Sequence, residues 1–214
     1  GTTVHKTRRG AARLASAAAN RSDAALSGAL SGLADLGVAP ARALGATREA
    51  MAAQAARSSF AVDGAFRNRE PMQANGPGLD AMWEMARRPG RPSTSIPVLT
   101  PKFPEQPGAL SATWLGHASV LVELDGVRIL TDPVFSLRCS PSQLVGPKRL
   151  HECPVTVGEL PSIDVVLISH DHFDHLDTDT VDALATLHPN AQFVVPIGVN
   201  AHLEAWGIDP GRIH

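Results

Sequence analysis

Three histidines and two aspartates stand within six consecutive positions in the second half of the 214-residue chain. They form the run His170-Asp171-His172-Phe173-Asp174-His175. Imidazole nitrogens and carboxylate oxygens are ligands that zinc and similar first-row metals take in proteins. On a helix, residues two positions apart point to different sides, whereas in an irregular loop they can converge on one ion. The run therefore predicts a metal site in a loop.

The spacing within this cluster accommodates two neighbouring ions. We expect His170 and His172 to bind one ion, and Asp174 and His175 to face the second. Two ions about 3.5 to 4 Å apart can hold a bridging hydroxide and clamp the attacked group. Asp174 would hold that hydroxide in line, which makes it the candidate catalytic residue. Asp171 stands between two histidines, so we expect its side chain to point away from the first ion and to stabilise the loop.

An apolar run directly before the cluster predicts the strand that positions it. Residues Ile163 to Ile168 are apolar except for Asp164, a pattern that suits a strand covered on both faces. The pair Asp125-Gly126 predicts a hairpin because both residues tolerate positive φ. Other strands are predicted at Ser111 to Leu115, Ala118 to Leu124, Val127 to Leu130 and Gln192 to Val195.

Two helices are predicted after the cluster. The first begins with Asp177 or Thr178 as its N-cap and ends near Leu187. The second runs from Val199 to Trp206 and is closed by Gly207 in the left-handed conformation. The succession of strand, helix, strand and helix predicts an α/β sandwich over residues 109–214.

The front of the chain has a different composition. Residues 1–62 are rich in alanine and predict a helical N-terminal extension, with one helix ending at Gly37 and another from about Ala41 to Ser59. The first helix has a narrow apolar stripe formed by Leu26, Leu30, Leu33 and Leu36. Residues 63–108 contain eight prolines and predict a linker around a short helix from Leu79 to Arg87. Since the side chains of the extension are mostly small, we expect it to dock on another surface.

Charge is divided unevenly between the two halves. Residues 1–100 hold 13 Lys and Arg against 7 Asp and Glu, a net +6, whereas residues 101–214 hold 6 against 14, a net −8. This division indicates two regions with different roles. The basic front is typical of a solvated helical face, with contact to anionic lipid headgroups and a transit peptide over residues 1–22 as alternatives. No apolar run is long enough to cross a bilayer, so we expect a cytoplasmic protein, with peripheral membrane contact as an option.

The chain contains two cysteines, Cys139 and Cys153. They are too few for a disulfide framework, and they lack the short spacing of a structural zinc site. We therefore expect both to be reduced.

Several further motifs accompany the cluster in a fixed order. They are Thr113-Trp114-Leu115-Gly116-His117-Ala118-Ser119, Leu130-Thr131-Asp132-Pro133-Val134-Phe135, Ser140-Pro141-Ser142-Gln143, Gly146-Pro147-Lys148-Arg149 and Ile168-Ser169-His170. Together with the H-x-H-x-D-H run, they resemble the metallo-β-lactamase superfamily. The resemblance is specifically to the branch that contains N-acylphosphatidylethanolamine-hydrolysing phospholipase D and its bacterial relatives, and it covers about residues 111 to 177.

The resemblance implies an αββα sandwich with the site at one edge of two sheets, of which this chain holds the N-terminal half. It implies two zinc ions, one bound by His170 and His172 and the other by Asp174 and His175. It also implies a bridging aspartate and further histidines on later strands. We expect those ligands beyond residue 214 and expect the chain to be a fragment.

Other polar residues have predicted supporting roles. Asp132, at a strand end, is expected to orient a ligand histidine through a hydrogen bond. His117 is expected near the metals or bonded to a ligand, with a purely structural histidine as the alternative. Lys148 and Arg149 are expected at a charged loop tip, with phosphate contact as the alternative. Solvent-facing side chains are expected for the isolated histidines His151, His188, His202 and His214.

The resemblance implies a zinc-dependent hydrolase of lipid metabolism, a phosphodiesterase of the phospholipase D type acting on N-acylphosphatidylethanolamine-like phospholipids through a metal-bridged hydroxide. One alternative keeps the metals and changes the bond to another ester, a lactone or an amide, because the fold hosts all of these activities. A second alternative is a non-catalytic binding module. Nucleic acid is not an expected partner, because the second half is acidic and the basic front has few aromatic residues. The residues indicate no oligomeric state.

Overall fold

The computed structural model describes residues 41–62, 65–66 and 92–214, together with residue 32. Apart from residue 32, the predicted helix ending at Gly37 lies outside the described residues, as does the predicted helix from Leu79 to Arg87. The helices are α1 (Arg48–Ala55), α2 (Thr178–Leu187) and α3 (Asn200–Ala205). The strands are β1 (Ala61–Val62), β2 (Ala65–Phe66), β3 (Leu110–Gly116), β4 (Ser119–Leu124), β5 (Val127–Thr131), β6 (Val165–Leu167) and β7 (Gln192–Val194).

Strands β3 to β7 form one mixed sheet in chain order, and β1 and β2 form a separate two-stranded ribbon. The pairs β3–β4 and β4–β5 are antiparallel, whereas β5–β6 and β6–β7 are parallel. Asp125 and Gly126 have φ values of 47° and 85°, so the predicted two-residue hairpin between β4 and β5 is confirmed. The sheet and its helices confirm the predicted α/β fold class.

The core lies on one face of this sheet. Strand register aligns four fully buried side chains in a row across β4, β5, β6 and β7: Leu121, Leu130, Val166 and Phe193. Val181 and Leu184 of α2 and Leu203 of α3 belong to the same buried cluster. The two helices therefore cover the face that carries this row.

The prediction that the strand before the cluster is buried on both faces is wrong for the described residues. The strand is shorter than predicted, covering Val165–Leu167, and Leu167 is 40% exposed. On the same face, Trp114 of β3 is 60% exposed and Val194 of β7 is 37% exposed. Because side chains alternate along a strand, burial by helices on one face leaves the other face open.

The structure divides the helix predicted from Ala41 to Ser59. A 3-10 helix covers Ala41–Leu44, Gly45 then takes φ 74°, and α1 starts at Arg48. The Thr47 hydroxyl accepts a hydrogen bond from the Ala50 N–H at 3.2 Å and caps α1. A left-handed glycine followed by an N-cap residue ends one helix and begins another.

The two helices predicted after the cluster are confirmed with small changes in their bounds. Asp177 is the N-cap residue of α2, as predicted. Its carboxylate accepts hydrogen bonds from the Ser136 N–H at 3.1 Å and from the Thr180 hydroxyl, which connects α2 to the loop after β5. Gly207 follows α3 with φ 87°. Within the described part of the chain, no helix is long and apolar enough to cross a membrane.

Candidate metal centre

The histidine-aspartate cluster lies at the edge of the sheet where β5 and β6 end. These two strands are parallel, so the residues that follow them meet at the same edge. Asp132 follows β5 directly, and the cluster begins at His170 after β6. The Asp132 N–H donates to the Leu167 carbonyl at 2.8 Å, which holds the two strand ends together.

The loop brings the three histidines of the cluster into contact. The His170 ring centroid lies 4.6 Å from that of His172 and 4.1 Å from that of His175. The His172 carbonyl accepts hydrogen bonds from the N–H groups of His175 at 2.9 Å and Leu176 at 2.8 Å. This tight turn folds His175 back toward the first two rings, in the convergent arrangement expected of a loop after a strand.

His117 joins the cluster from the turn between β3 and β4. Its Nε2 atom lies 2.9 Å from Asp174 Oδ2, and His175 Nε2 lies 3.6 Å from the same oxygen. One ligand atom from each of these three residues lies within 4.8 Å of the other two. Two imidazole nitrogens and a carboxylate oxygen fit a zinc-type metal. The sequence left a position near the metals and a purely structural role open for His117, and the structure places its ring nitrogen beside Asp174 and His175, in a group that could hold a metal ion.

The backbone around His117 has an unusual conformation. His117 has φ 49° and Gly116 has φ 116°, and the register of β3 with β4 shifts between Trp114 and Gly116. The φ of 116° favours glycine at position 116, and a Cβ atom there would also lie 2.3 Å from the Arg149 Nη2 atom. The bulge turns the His117 side chain out of the strand and toward the cluster.

Asp132 orients one of the cluster histidines. Its Oδ2 atom lies 2.9 Å from His175 Nδ1, and its carboxylate also accepts the N–H and the hydroxyl of Ser169, both at 2.7 Å. The Ser169 hydroxyl in turn lies 2.9 Å from His170 Nδ1. When His175 Nδ1–H donates to this carboxylate, the Nε2 atom of the neutral ring is the one available to a metal. This is the arrangement that fixes ring orientation and tautomer in ligating histidines.

Two aspartates of the cluster have altered acidity. Partial burial raises the pKa of Asp174, but hydrogen bonds from its own backbone N–H and from His117, with the charge of His175, outweigh burial and leave the pKa below its ordinary value of 3.8. The neighbouring His202 imidazole is the main cause that lowers the pKa of Asp171. Both groups are therefore stabilised as carboxylates.

The prediction that His202 faces solvent is wrong. His202 is only 8% exposed, because α3 packs on the core and the chain around Gly45 covers the imidazole. Its Nδ1 atom accepts the Ala46 N–H at 3.0 Å, and its Nε2 atom lies 3.8 Å from Asp171 Oδ2. An isolated histidine in a sequence gives no sign of such a distant backbone partner.

The prediction of a charged loop tip is wrong for Arg149 and right for the exposed Lys148. The Arg149 guanidinium donates to backbone carbonyls of Val134, of Leu115 at 3.2 Å and of His151 at 3.3 Å. Arg149 thus supports the backbone beneath the turn that presents His117. Its donors are engaged by carbonyl groups rather than directed at a ligand.

A cavity of about 380 Å³ opens beside the cluster. Its lining has an apolar part formed by Phe173 from the cluster itself, Leu176, Leu144, Pro141 and Ala43, and a polar part formed by Ser140, Gln143, Asp177, Thr178 and Asp179. Cavities of this size and character accept small organic groups. The metal-binding loop thus forms one wall of this cavity.

Cys139 and Cys153 are both free and partly buried, in agreement with the prediction that they are reduced. Burial is the main cause that raises the pKa of each thiol above its ordinary value of 9.0. For Cys139, the nearby carboxylates of Asp174 and Asp177 raise the pKa further. Neither thiol is activated as a nucleophile.

Comparison with known proteins agrees with this geometry. Residues 127–213 match the family model of the β-lactamase superfamily domain. The chain is 46% identical over 180 residues to an uncharacterized protein of Mycobacterium tuberculosis, covering 80% of this chain and 48% of that protein. It is 46% identical over 99 residues to N-acyl-phosphatidylethanolamine-hydrolyzing phospholipase D 1 of Caenorhabditis elegans, covering 46% of this chain and 28% of that enzyme.

A metal-dependent hydrolase of Caldivirga maquilingensis is 48% identical over 63 residues, covering 29% of this chain and 22% of that protein. The chain spans about half the length of the mycobacterial relatives that it matches. Its mixed sheet and strand-end histidine cluster define a metallo-β-lactamase-type domain. These matches support the predicted resemblance to the metallo-β-lactamase superfamily, with similarity both to metal-dependent hydrolases and to an N-acylphosphatidylethanolamine-hydrolysing phospholipase D.

Proposed function

We propose that this chain carries metal ligands of a zinc-dependent phosphodiesterase of the phospholipase D type, which hydrolyses N-acylphosphatidylethanolamine-like lipids. The observation that carries the proposal is the convergence of His117, Asp174 and His175, whose ligand atoms lie within 4.8 Å of one another. The resemblance to the Caenorhabditis elegans enzyme supports the choice of phosphodiester over other bonds.

Among the described residues, one group of three possible ligands converges, formed by His117, Asp174 and His175, and the arrangement with two zinc ions follows from the resemblance. His170 and His172 would hold one ion, and Asp174 and His175 would hold the other, with His117 adjoining the second. Bound zinc supplies Lewis acidity at the phosphoryl oxygens and lowers the pKa of a nearby water.

The chain's own residues position the reaction. Asp174 Oδ2 lies between the Nε2 atoms of His117 and His175, where it can orient a water by accepting its hydrogen bond. Asp132 holds His175 from the opposite side of the ring and prevents it from rotating. Arg149 holds the backbone before His117 through the Leu115 carbonyl, and it ties this strand end to the carbonyl groups of Val134 and His151. Such prior ordering of catalytic groups lowers the entropic cost of reaching the transition state.

The cavity beside the cluster supports a lipid substrate. Its apolar wall contains Phe173, which lies between two proposed ligands in the sequence, and Leu144 and Leu176. A cavity of about 380 Å³ could take a short length of acyl chain close to the reacting bond.

We also propose contact with a membrane surface through the loop of residues 136–151. This loop exposes Leu144 by 72% and Leu150 by 56%, with Leu137 and Val145 also exposed. The loop contains the exposed Lys148 and two arginines whose guanidinium groups donate to backbone carbonyls, and it contains no acidic residue, although residues 101–214 are acidic as a whole. Exposed aliphatic side chains combined with basic residues are typical of attachment to anionic lipid surfaces.

Vesicle sedimentation tests this contact. Phosphatidylcholine vesicles with and without phosphatidic acid are mixed with the wild type and with the double variant Leu144→Ser, Val145→Ser. We expect stronger binding to anionic vesicles and its loss in the variant. Leu99→Ser is the matched control, because Leu99 is 85% exposed but lies outside the loop. Equal binding of the wild type and the double variant to anionic vesicles would contradict the proposed membrane contact through residues 136–151.

The activity is tested with N-acylphosphatidylethanolamine vesicles and a zinc-loaded protein that also contains the further ligands implied by the resemblance, with products measured by mass spectrometry. We expect phosphatidic acid and N-acylethanolamine in equal amounts, and no product from Asp174→Ala. Turnover of a lactone, a β-lactam or another ester without lipid cleavage would contradict the proposed phosphodiesterase activity and favour a metal-dependent hydrolase of another bond. Zinc binding without turnover of any of these substrates would favour a binding module.

A further inference from the structure

Residues 42–46 attach the front of the chain to the α/β domain. The Arg42 guanidinium pairs with the Asp182 carboxylate of α2, with an Nη2 to Oδ1 distance of 2.7 Å. It also donates to the Trp206 carbonyl at 2.7 Å, while Trp206 Nε1 donates to the Arg42 carbonyl at 2.8 Å. The contacts are reciprocal and join residues about 140 to 164 positions apart. For residues 42–46, these contacts agree with the sequence-based expectation that the extension docks on another surface.

The same segment reaches His202, a buried residue that the proposed reaction does not use. The Ala46 N–H donates to His202 Nδ1 at 3.0 Å, so in the neutral imidazole the proton is on Nε2. The approach is close enough that a Cβ atom at Gly45 would lie 2.0 Å from Nδ1, and Gly45 has φ 74°. Glycine at this position therefore permits the docked geometry.

The other side of the His202 ring faces the metal-binding loop. His202 Nε2 lies 3.8 Å from Asp171 Oδ2, an electrostatic contact longer than a hydrogen bond. Asp171 stands directly between His170 and His172, and the His172 carbonyl holds the turn to His175. One buried imidazole thus contacts the docked segment through one nitrogen and the metal-binding loop through the other.

We propose that His202 is a positioning residue that couples the docking of residues 42–46 to the conformation of the metal-binding loop through Asp171. This inference rests on the proposed metal site for its effect on zinc, but its effect on the loop does not require zinc. Release of residues 42–46 would remove the hydrogen bond that orients the His202 ring, and the contact of the ring with Asp171 would then no longer be fixed. The affinity for zinc would then depend on a segment that contributes no ligand.

Hydrogen exchange on the metal-free chain tests the coupling directly. The probes are the amides of His175 and Leu176, which bond to the His172 carbonyl, and the Ala46 amide reports docking. We expect Arg42→Ala to speed exchange at all three amides by about tenfold. Arg57→Ala is the matched control, because Arg57 belongs to the same front segment and bonds to Gln54 within it. It should leave the three amides unchanged.

Two substitutions of His202 separate the two contacts. His202→Asn places an oxygen near the former Nδ1, which keeps an acceptor for the Ala46 N–H but removes the group that faces Asp171. His202→Gln reaches the former Nε2 position and removes the acceptor for Ala46. We expect His202→Asn to speed hydrogen exchange at the amides of His175 and Leu176 and to leave that of Ala46 unchanged. We expect the main effect of His202→Gln to be faster exchange at the Ala46 amide.

Zinc affinity, measured by competition with a chelator, provides a second readout. Asp171→Asn and His202→Asn should each weaken binding by about tenfold, the lower end of the effect expected for groups that support metal ligands. The double variant should bind zinc no more weakly than either single variant, because both substitutions remove the same contact between His202 and Asp171. Asp171 is 46% exposed at its side chain, so Asp171→Asn decides the question even where a His202 variant does not fold.

Unchanged loop exchange in both Asp171→Asn and His202→Asn would overturn the inference, and so would additive losses in the double variant. Failure of the wild-type chain to bind zinc would instead refute the proposed metal site. In that case, the exchange rates of the metal-free chain still decide the role of His202.

Discussion

The Nδ1 atom of His175 lies 2.9 Å from Oδ2 of Asp132, although the two residues are 43 positions apart in the chain. Asp132 follows β5 and His175 closes the loop after β6, so the contact depends on the parallel pairing of these two strands. Asp132 has φ 37°, a conformation that side chains other than those of Asn and Asp adopt with strain. The backbone conformation at position 132 favours aspartate or asparagine, and the contact with His175 uses the short carboxylate side chain.

Asp132→Asn should weaken zinc binding without unfolding the domain. Asparagine tolerates the left-handed backbone but does not hold His175 Nδ1–H and both Ser169 donors as a carboxylate does. We expect zinc affinity to fall by about 10- to 100-fold and the free energy of unfolding to fall by about 1 to 3 kcal/mol. Chelator competition and urea denaturation measure the two quantities. Asp125→Asn is the control, since Asp125 has φ 47° at the opposite end of β5, and it should change neither.

His117→Asn tests whether the turn between β3 and β4 contributes to the metal site. Asparagine is compatible with φ 49°, but it removes the ring nitrogen that lies 2.9 Å from Asp174. We expect the zinc stoichiometry of the chain to fall or its affinity to drop at least about tenfold. His214→Asn, at an exposed histidine that contacts Gln192, should bind zinc like the wild type. Wild-type affinity in His117→Asn would exclude His117 from the site.

The buried ion pair of Glu123 and Arg128 should make folding sensitive to acid. The hydrogen bond from Arg128 at 2.9 Å, followed by that from Ser111 at 2.8 Å, lowers the pKa of Glu123 below its ordinary value of 4.5. Since the folded-state pKa is lower than the unfolded one, this carboxylate stabilises the fold above pH 4.5, and the contribution is lost as pH falls through the lowered pKa.

Glu123→Gln removes this titration and keeps the shape of the side chain. Thermal unfolding midpoints are compared for wild type and variant from about pH 6 to about pH 3. We expect the variant to be less stable at pH 6 and the gap to narrow as pH falls below about 4.5. A gap that stays constant across this range would contradict the assigned pKa direction.

Both cysteines should react slowly with thiol reagents in the folded protein. Their raised pKa leaves less thiolate near pH 8, and partial burial limits access. The rate of reaction with Ellman's reagent should rise with pH more steeply than that of a free thiol and should increase sharply in guanidinium chloride. The variants Cys139→Ser and Cys153→Ser show which cysteine gives rise to each kinetic phase of the reaction. Rapid reaction of either residue in the folded state at neutral pH would contradict its assigned environment.

The sequence alone identified the elements of the fold that depend on local signals. Asp125-Gly126 formed the predicted hairpin, Asp177 and Leu187 bounded the predicted helix, and the cluster of His170 to His175 followed a strand. These features depend on backbone conformations that individual residue types favour. The family resemblance followed from the order of several motifs.

Tertiary structure decided which side chains meet. The sequence placed His202 in solvent, but the fold buries it between Ala46 and Asp171. It placed Arg149 at a loop tip, but the fold directs its guanidinium to three backbone carbonyls. The contact of His117 with Asp174 spans 57 positions. No local preference specifies such contacts, because they arise only when strand pairing and helix packing bring distant segments together, at a cost in chain entropy that the whole core offsets.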